Sequence, residues 1–168
     1  VRRWSPDPER RREAALLLHS RFEQDTALRL RLLQAQGWGA DPLAAVVLKA
    51  AALDQEAGGA PAAAQPLWQQ LRRRFAASPA SADALYALGR RDPGLRRLLL
   101  ERFPAHPAAL AAALEAGPDA AGRLAGTLHL ARWGARWPGA DQRLQAACAD
   151  KATALDPGQR AQLAAGLA

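Results

Sequence analysis

The sequence predicts an all-α fold: an α-superhelix or solenoid of short antiparallel helical hairpins, with about ten helices. Three observations predict it. The 168 residues include 43 Ala, 27 Leu and 21 Arg, but only 3 Val, 3 Thr and no Ile. Sheets draw on β-branched and aromatic residues, whereas Ala, Leu, Arg and Gln are strong helix formers. Pairs of Ser, Asp or His with Pro recur along the chain, and each pair is a helix-start signal. Finally, Leu71-Arg-Arg-Arg-Phe75-Ala-Ala-Ser-Pro79 returns as Leu99-Leu-Glu-Arg-Phe103-Pro-Ala-His-Pro107 at an offset of 28. Repeats of 20–50 residues signal stacked helical units.

Punctuation and apolar spacing place the helices in order. The first, near 6–21, opens at Ser5-Pro6, and the second, 25–36, closes at Gly37. The third, 42–57, starts at Asp41-Pro42, carries an i, i+3, i+4, i+7 stripe of Leu43, Val46, Val47 and Ala50, and ends at Gly58. Gly58 to Pro66 reads as a loop between hairpins. The fourth, 65–76, presents Leu67, Leu71 and Phe75 in steps of four, and the fifth, 79–88, runs from Ser78-Pro79 to Gly89. The sixth, 93–103, begins at Asp92-Pro93 and shows one face of Leu95, Leu98, Leu99 and Phe103. The seventh, 107–116, rests on Pro107, because His106 is a poor cap; it closes at Gly117. The eighth, 119–133, ends at Gly134. Arg136-Trp137-Pro138, followed by a capping Asp141, reads as a degenerate third copy of the repeat before the ninth helix, 140–149. The tenth, 157–167, starts at Asp156-Pro157. The closing glycines are expected to be left-handed. Each helix is one-sided and must pack on its neighbours to be stable.

The whole chain, 1–168, reads as one helical-repeat domain with sub-units at 1–58 and 65–168. It begins at Val and contains no Met, which reads as a fragment of a longer chain. An incomplete array is expected to expose an apolar end face, here on the last helix with Leu163 and Leu167.

The chemistry-bearing residues are sparse. His19, His106 and His129 are far apart, with no Cys at ligand spacing, so no metal and no cofactor is expected. Cys148 sits among alanines and reads as a small helix residue. There is no phosphate-binding glycine loop, no nucleophile motif and no apolar run long enough to span a membrane. Lys plus Arg exceed Asp plus Glu by 23 − 16 = 7. The basic residues cluster as Arg72, Arg73 and Arg74, as Arg90 and Arg91, as Arg96 and Arg97, and as Arg132 with Arg136. Trp68, Tyr86, Trp133 and Trp137 lie near them. The candidate ligand-binding set is therefore Arg72, Arg73, Arg74, Arg90, Arg91, Arg97, Trp68, Tyr86, Trp133 and Trp137, forming a basic surface for an anionic polymer. The plainer reading is weighed ahead of it: Arg on solvent faces and aromatics in the core. A peptide-binding scaffold of tetratricopeptide type and a basic array of HEAT type binding nucleic acid stand as alternatives.

The stretch Leu67 to Phe75, then Ser78 to Gly89, with the tail Leu128 to Pro138 and Leu155 to Leu167, resembles the helical N-terminal region of bacterial soluble lytic murein transglycosylases. The resemblance covers roughly residues 65–168. It implies a superhelical α-domain that shapes or guides glycan-strand access to a separate C-terminal lysozyme-like domain. That family cleaves peptidoglycan, in the periplasm or cell envelope, with a Glu in a Glu-Ser motif. No Glu here is followed by Ser, and a Gly-Leu-Met-Gln motif is impossible without Met. The resemblance therefore implies peptidoglycan as partner but carries over no catalytic residue.

Overall fold

The computed structural model describes residues 7–21, 24–36, 42–115, 120–149 and 155–168. Among them every regular element is an α-helix: α1 (Pro8–Arg21), α2 (Thr26–Gln36), α3 (Pro42–Ala57), α4 (Pro61–Arg74), α5 (Ala80–Gly89), α6 (Pro93–Arg102), α7 (Pro107–Leu114), α8 (Ala120–Trp133), α9 (Ala140–Ala149) and α10 (Pro157–Leu167). The fold class is thus all-α, as the composition predicts.

Side chains satisfy the free amides at the helix starts. Asp92 accepts from the Gly94 and Leu95 amides at 2.9 and 3.2 Å. Asp156 and Gln159 form a reciprocal capping box at 2.8 and 3.0 Å. Asp7 accepts from the Glu9 amide at 2.9 Å, so α1 starts at Pro8, two residues after the expected position. His106 does cap: its Nδ1 accepts from the Ala108 amide at 3.2 Å. A neutral imidazole has one bare ring nitrogen, which serves as the acceptor. The expected signals at Ser5-Pro6, Asp41, Gly37 and Gly117 lie outside the described residues.

Three expectations need correction. The loop at 58–66 is short, because α4 begins at Pro61 and runs through Pro66. Pro66 cannot donate to the Ala62 carbonyl, yet the helix continues around it. Of the closing glycines, Gly58, Gly89 and Gly134 are not left-handed; among the described residues positive φ occurs instead at Gly59 (76°) and Gly139 (82°). Gly134 serves close packing: a Cβ there would lie 2.7 Å from Leu110 Cδ2. On α3, the buried face is Ala44, Ala45, Val47, Leu48, Ala51 and Ala52, while Val46 is exposed. Four of the six buried positions are alanines, whose small Cβ lets a neighbouring backbone approach closely.

The repeat is built as one hydrogen-bonded turn, made three times. At the first, the Phe75 amide donates to Leu71 O (2.9 Å), Ser78 to Phe75 O (2.8 Å) and Ser81 to Ser78 O (2.9 Å). The second joins Phe103 to Leu99 (3.0 Å), His106 to Phe103 (2.9 Å) and Ala109 to His106 (2.9 Å). The third joins Gly134 to Leu130 (2.8 Å), Trp137 to Gly134 (2.8 Å) and Ala140 to Trp137 (2.9 Å). Leu71, Leu99 and Leu130, one at each turn, are fully buried. The third copy is therefore real, but its register differs from the expected one by three residues. Gly134, and not Trp137, takes the place of the phenylalanines, and Asp141 lies inside α9.

The chain divides within α5 into two compact units, Val1–Ala84 and Leu85–Ala168, and not at the 58–66 loop. In the first unit α2 packs on α3 and α3 on α4. The buried residues of α4 are Ala64, Trp68 and Leu71. The Trp68 indole donates to Glu56 Oε1 at 2.8 Å, and Lys49 Nζ pairs with Asp83 Oδ2 at 2.6 Å. In the second unit α6 packs on α7, α7 on α8, and α8, α9 and α10 on one another. One core cluster joins Leu110, Ala113, Leu130 and Ala140, with Leu100, Leu114 and Trp137 against it. The other joins Ala131, Leu144 and Leu163. The expected bare face of the last helix is covered. Leu163 is fully buried, and a Cβ at Gly166 would lie 2.8 Å from Ala131 Cα, while Leu167 alone of the named pair is exposed.

Candidate functional site

The second unit carries a groove of about 560 Å³. Its basic wall is Arg90 and Arg91, from the turn after α5, with Arg96 and Arg97 from the start of α6. Its floor is Leu100, Ala113, Ala121, Gly122, Ala125 and Gly126. No Asp or Glu among the described residues lines it. Asp92 lies beside this wall in sequence, but its carboxylate is committed to capping α6, so the helix amides are already taken.

Local structure sets each guanidinium. Arg96 donates through Nη2 to the Ala112 carbonyl in the last turn of α7, an orphan acceptor at a helix end. Arg90 lies over the Tyr86 ring, 5.1 Å from its centre. The Tyr86 hydroxyl in turn donates to Glu115 Oε1. Burial raises the Tyr86 pKa above its ordinary 10.0, and the hydroxyl–Glu115 bond adds to this while Arg90 opposes it. Arg91 and Arg97 are exposed and have no partner among the described residues. The wall thus holds two guanidiniums anchored by the protein and two left to a ligand.

The floor is close-packed. A Cβ at Gly126 would lie 2.5 Å from the Ala113 carbonyl oxygen, so α8 approaches α7 as closely as a glycine allows. The small residues at 121, 122, 125 and 126 share one face of α8, which leaves the groove its depth.

The ten sequence-derived candidates separate. Arg90, Arg91 and Arg97 line the groove. Tyr86 lines a smaller adjoining pocket with Arg90, Arg96 and Glu115. Trp137 packs against the core of Leu110 and Leu130. Trp133 is 44% exposed, with the Arg132 guanidinium 5.3 Å from its ring. In the other unit, Arg73 and Arg74 are exposed at the end of α4, where cations complement the helix dipole. Arg72 is half-buried, its Nε without a hydrogen-bond partner. Trp68 is buried, with its indole N–H committed to Glu56, so it presents no stacking face.

The floor is what the sequence reading missed; its signal was the Ala-Gly pairs at 121–122 and 125–126, four residues apart. Among the described residues no group of three or more His, Cys, Asp or Glu is placed to hold a metal ion. No described helix is long and apolar enough to cross a membrane. Comparison with protein-family models, with curated proteins and with solved structures finds no match for this chain.

Proposed function

We propose that this chain is a non-catalytic helical-repeat binding module that holds an anionic polymer in the groove beside α6–α8. The observation that carries this reading is the groove's lining: four arginines over an apolar floor, with no carboxylate among the described residues. A groove of this volume falls in the range of sites that hold a small ligand or a short polymer segment, roughly 300–1,000 Å³. Unpaired guanidiniums raise the local concentration of anions and form charge-assisted hydrogen bonds with them.

The resemblance to the superhelical region of lytic murein transglycosylases supports peptidoglycan as that polymer, in the periplasm or cell envelope, with cleavage assigned to a separate lysozyme-like domain. On this reading the module positions the strand and does not cut it. The test is co-sedimentation of the chain with purified peptidoglycan sacculi, comparing the native chain with an Arg91→Glu/Arg97→Glu double variant. The native chain is expected to sediment, the variant to lose most of that binding, and neither to release soluble fragments. Equal sedimentation of both would remove the groove from the reading. A preference for oligonucleotide that falls steeply with salt would favour the nucleic-acid alternative.

A further inference from the structure

The groove's hydrogen-bonding character specifies its ligand more closely. Among the described residues, every polar side chain lining it is an arginine. Arginine only donates. A glycan presents hydroxyls that donate as often as they accept, and these would find no side-chain acceptor here. A carboxylate only accepts, and its two oxygens match the planar guanidinium fork. Among the described residues no aromatic lines the groove to stack sugar rings or bases.

The arginines are also arranged in two pairs. Arg90 and Arg91 follow α5, and Arg96 and Arg97 open α6. In each pair one member is anchored: Arg90 over the Tyr86 ring, and Arg96 on the Ala112 carbonyl. In each pair the other member, Arg91 or Arg97, has no partner among the described residues. Each pair thus offers one anchored and one unengaged guanidinium. The rest of the lining includes Ala113, Ala121, Ala125 and Leu100, an apolar surface that fits small apolar side chains.

We infer that the groove binds a short peptide segment carrying two carboxylates separated by small apolar residues, one carboxylate to each arginine pair. This rests on the binding-module reading and deepens it: within a polymer that has both sugars and peptides, the groove takes the peptide. The experiment is calorimetric titration of the full chain at low salt with four probes: the peptide Ac-Glu-Ala-Ala-Glu-amide, its diamide analogue Ac-Gln-Ala-Ala-Gln-amide, tripolyphosphate and a short oligo-dT. The diacid is expected to bind, and the diamide to bind at least about tenfold more weakly, since each charge-assisted bond is roughly twice as strong as a neutral one. Arg91→Gln and Arg97→Gln are each expected to weaken diacid binding severalfold. Ala125→Leu, which places a larger side chain on the groove floor at an exposed helical position, is expected to weaken the peptide about tenfold and to leave tripolyphosphate unchanged. Helicity by circular dichroism confirms that each variant folds. Tripolyphosphate or oligo-dT binding as tightly as the diacid, or diacid binding that Ala125→Leu does not change, overturns the peptide assignment while leaving an anion-binding module in place. Binding of none of the four probes overturns the module itself.

Discussion

Single residues carry more of this fold than their bulk suggests. Gly134 stands where two other turns have Phe75 and Phe103, and the space is not left empty: Leu110 reaches to within 2.7 Å of where a Cβ would stand. The phenylalanine's packing is supplied from α7 instead. His129 shows the electrostatic side of the same economy. Its Nε2–H donates to the Pro104 carbonyl at 2.8 Å, and burial lowers its pKa below the ordinary 6.5, an effect the carbonyl bond partly opposes. The folded state therefore binds fewer protons than the unfolded chain just below pH 6.5, and stability falls as the pH drops through that window. Below the folded-state pKa the effect levels off. Urea midpoints measured from pH 7.5 down to pH 5 are expected to decline more for the native chain than for His129→Gln, which keeps a donor but does not titrate. Parallel declines would mean that His129 is not the group responsible.

At the scale of elements, the helix starts were the most legible part of the sequence. Asp92-Pro93, Pro107 and Asp156-Pro157 open helices at the expected residues, because Pro fits the first turn and the capping side chain sits directly before it. What sequence could not read was the use of small residues. Gly58, Gly89 and Gly134 looked like helix terminators, yet none has positive φ. Closeness between helices, which only coordinates reveal, explains Gly134 and Gly126. The same blindness hid the groove floor: the arginines were visible as clusters, but the Ala/Gly face that makes a recess beside them was not. The register of the third turn was lost for a related reason, since an aromatic at 137 is a louder signal than a glycine at 134. Helix α4 offers a direct check. Pro66 sits exposed inside it and leaves the Ala62 carbonyl without its helical donor. Pro66→Ala is expected to stabilise the chain by about 1–3 kcal/mol, read as a higher urea midpoint with unchanged slope. A loss of stability would mean that Pro66 is required where it stands.

For the whole molecule, the main contacts within each unit are between helices adjacent in sequence: α2 on α3 and α3 on α4 in the first, α6 on α7, α7 on α8, α8 on α9 and α9 on α10 in the second, with α8 and α10 the one pairing there that skips an element. Stability in such an arrangement is close to a sum of local interfaces. Removing residues 155–168 takes away Leu163, which is fully buried against Ala131 and Leu144, and the Gln162 side chain that donates to the Leu128 carbonyl at 2.7 Å. The loss is expected to exceed the roughly 2–5 kcal/mol of a buried Leu→Ala change and to appear as faster amide exchange in α8 and α9. Exchange in those helices that stays at native rates would show that they do not depend on α10. The repeated turn has one more consequence, which is genetic. Because the same three backbone bonds close the turns after Leu71 and Leu99, 28 residues apart, unequal recombination between those two DNA segments would add or delete a whole hairpin and still leave a correctly closed junction. The array is built so that its length is open to change in single heritable steps.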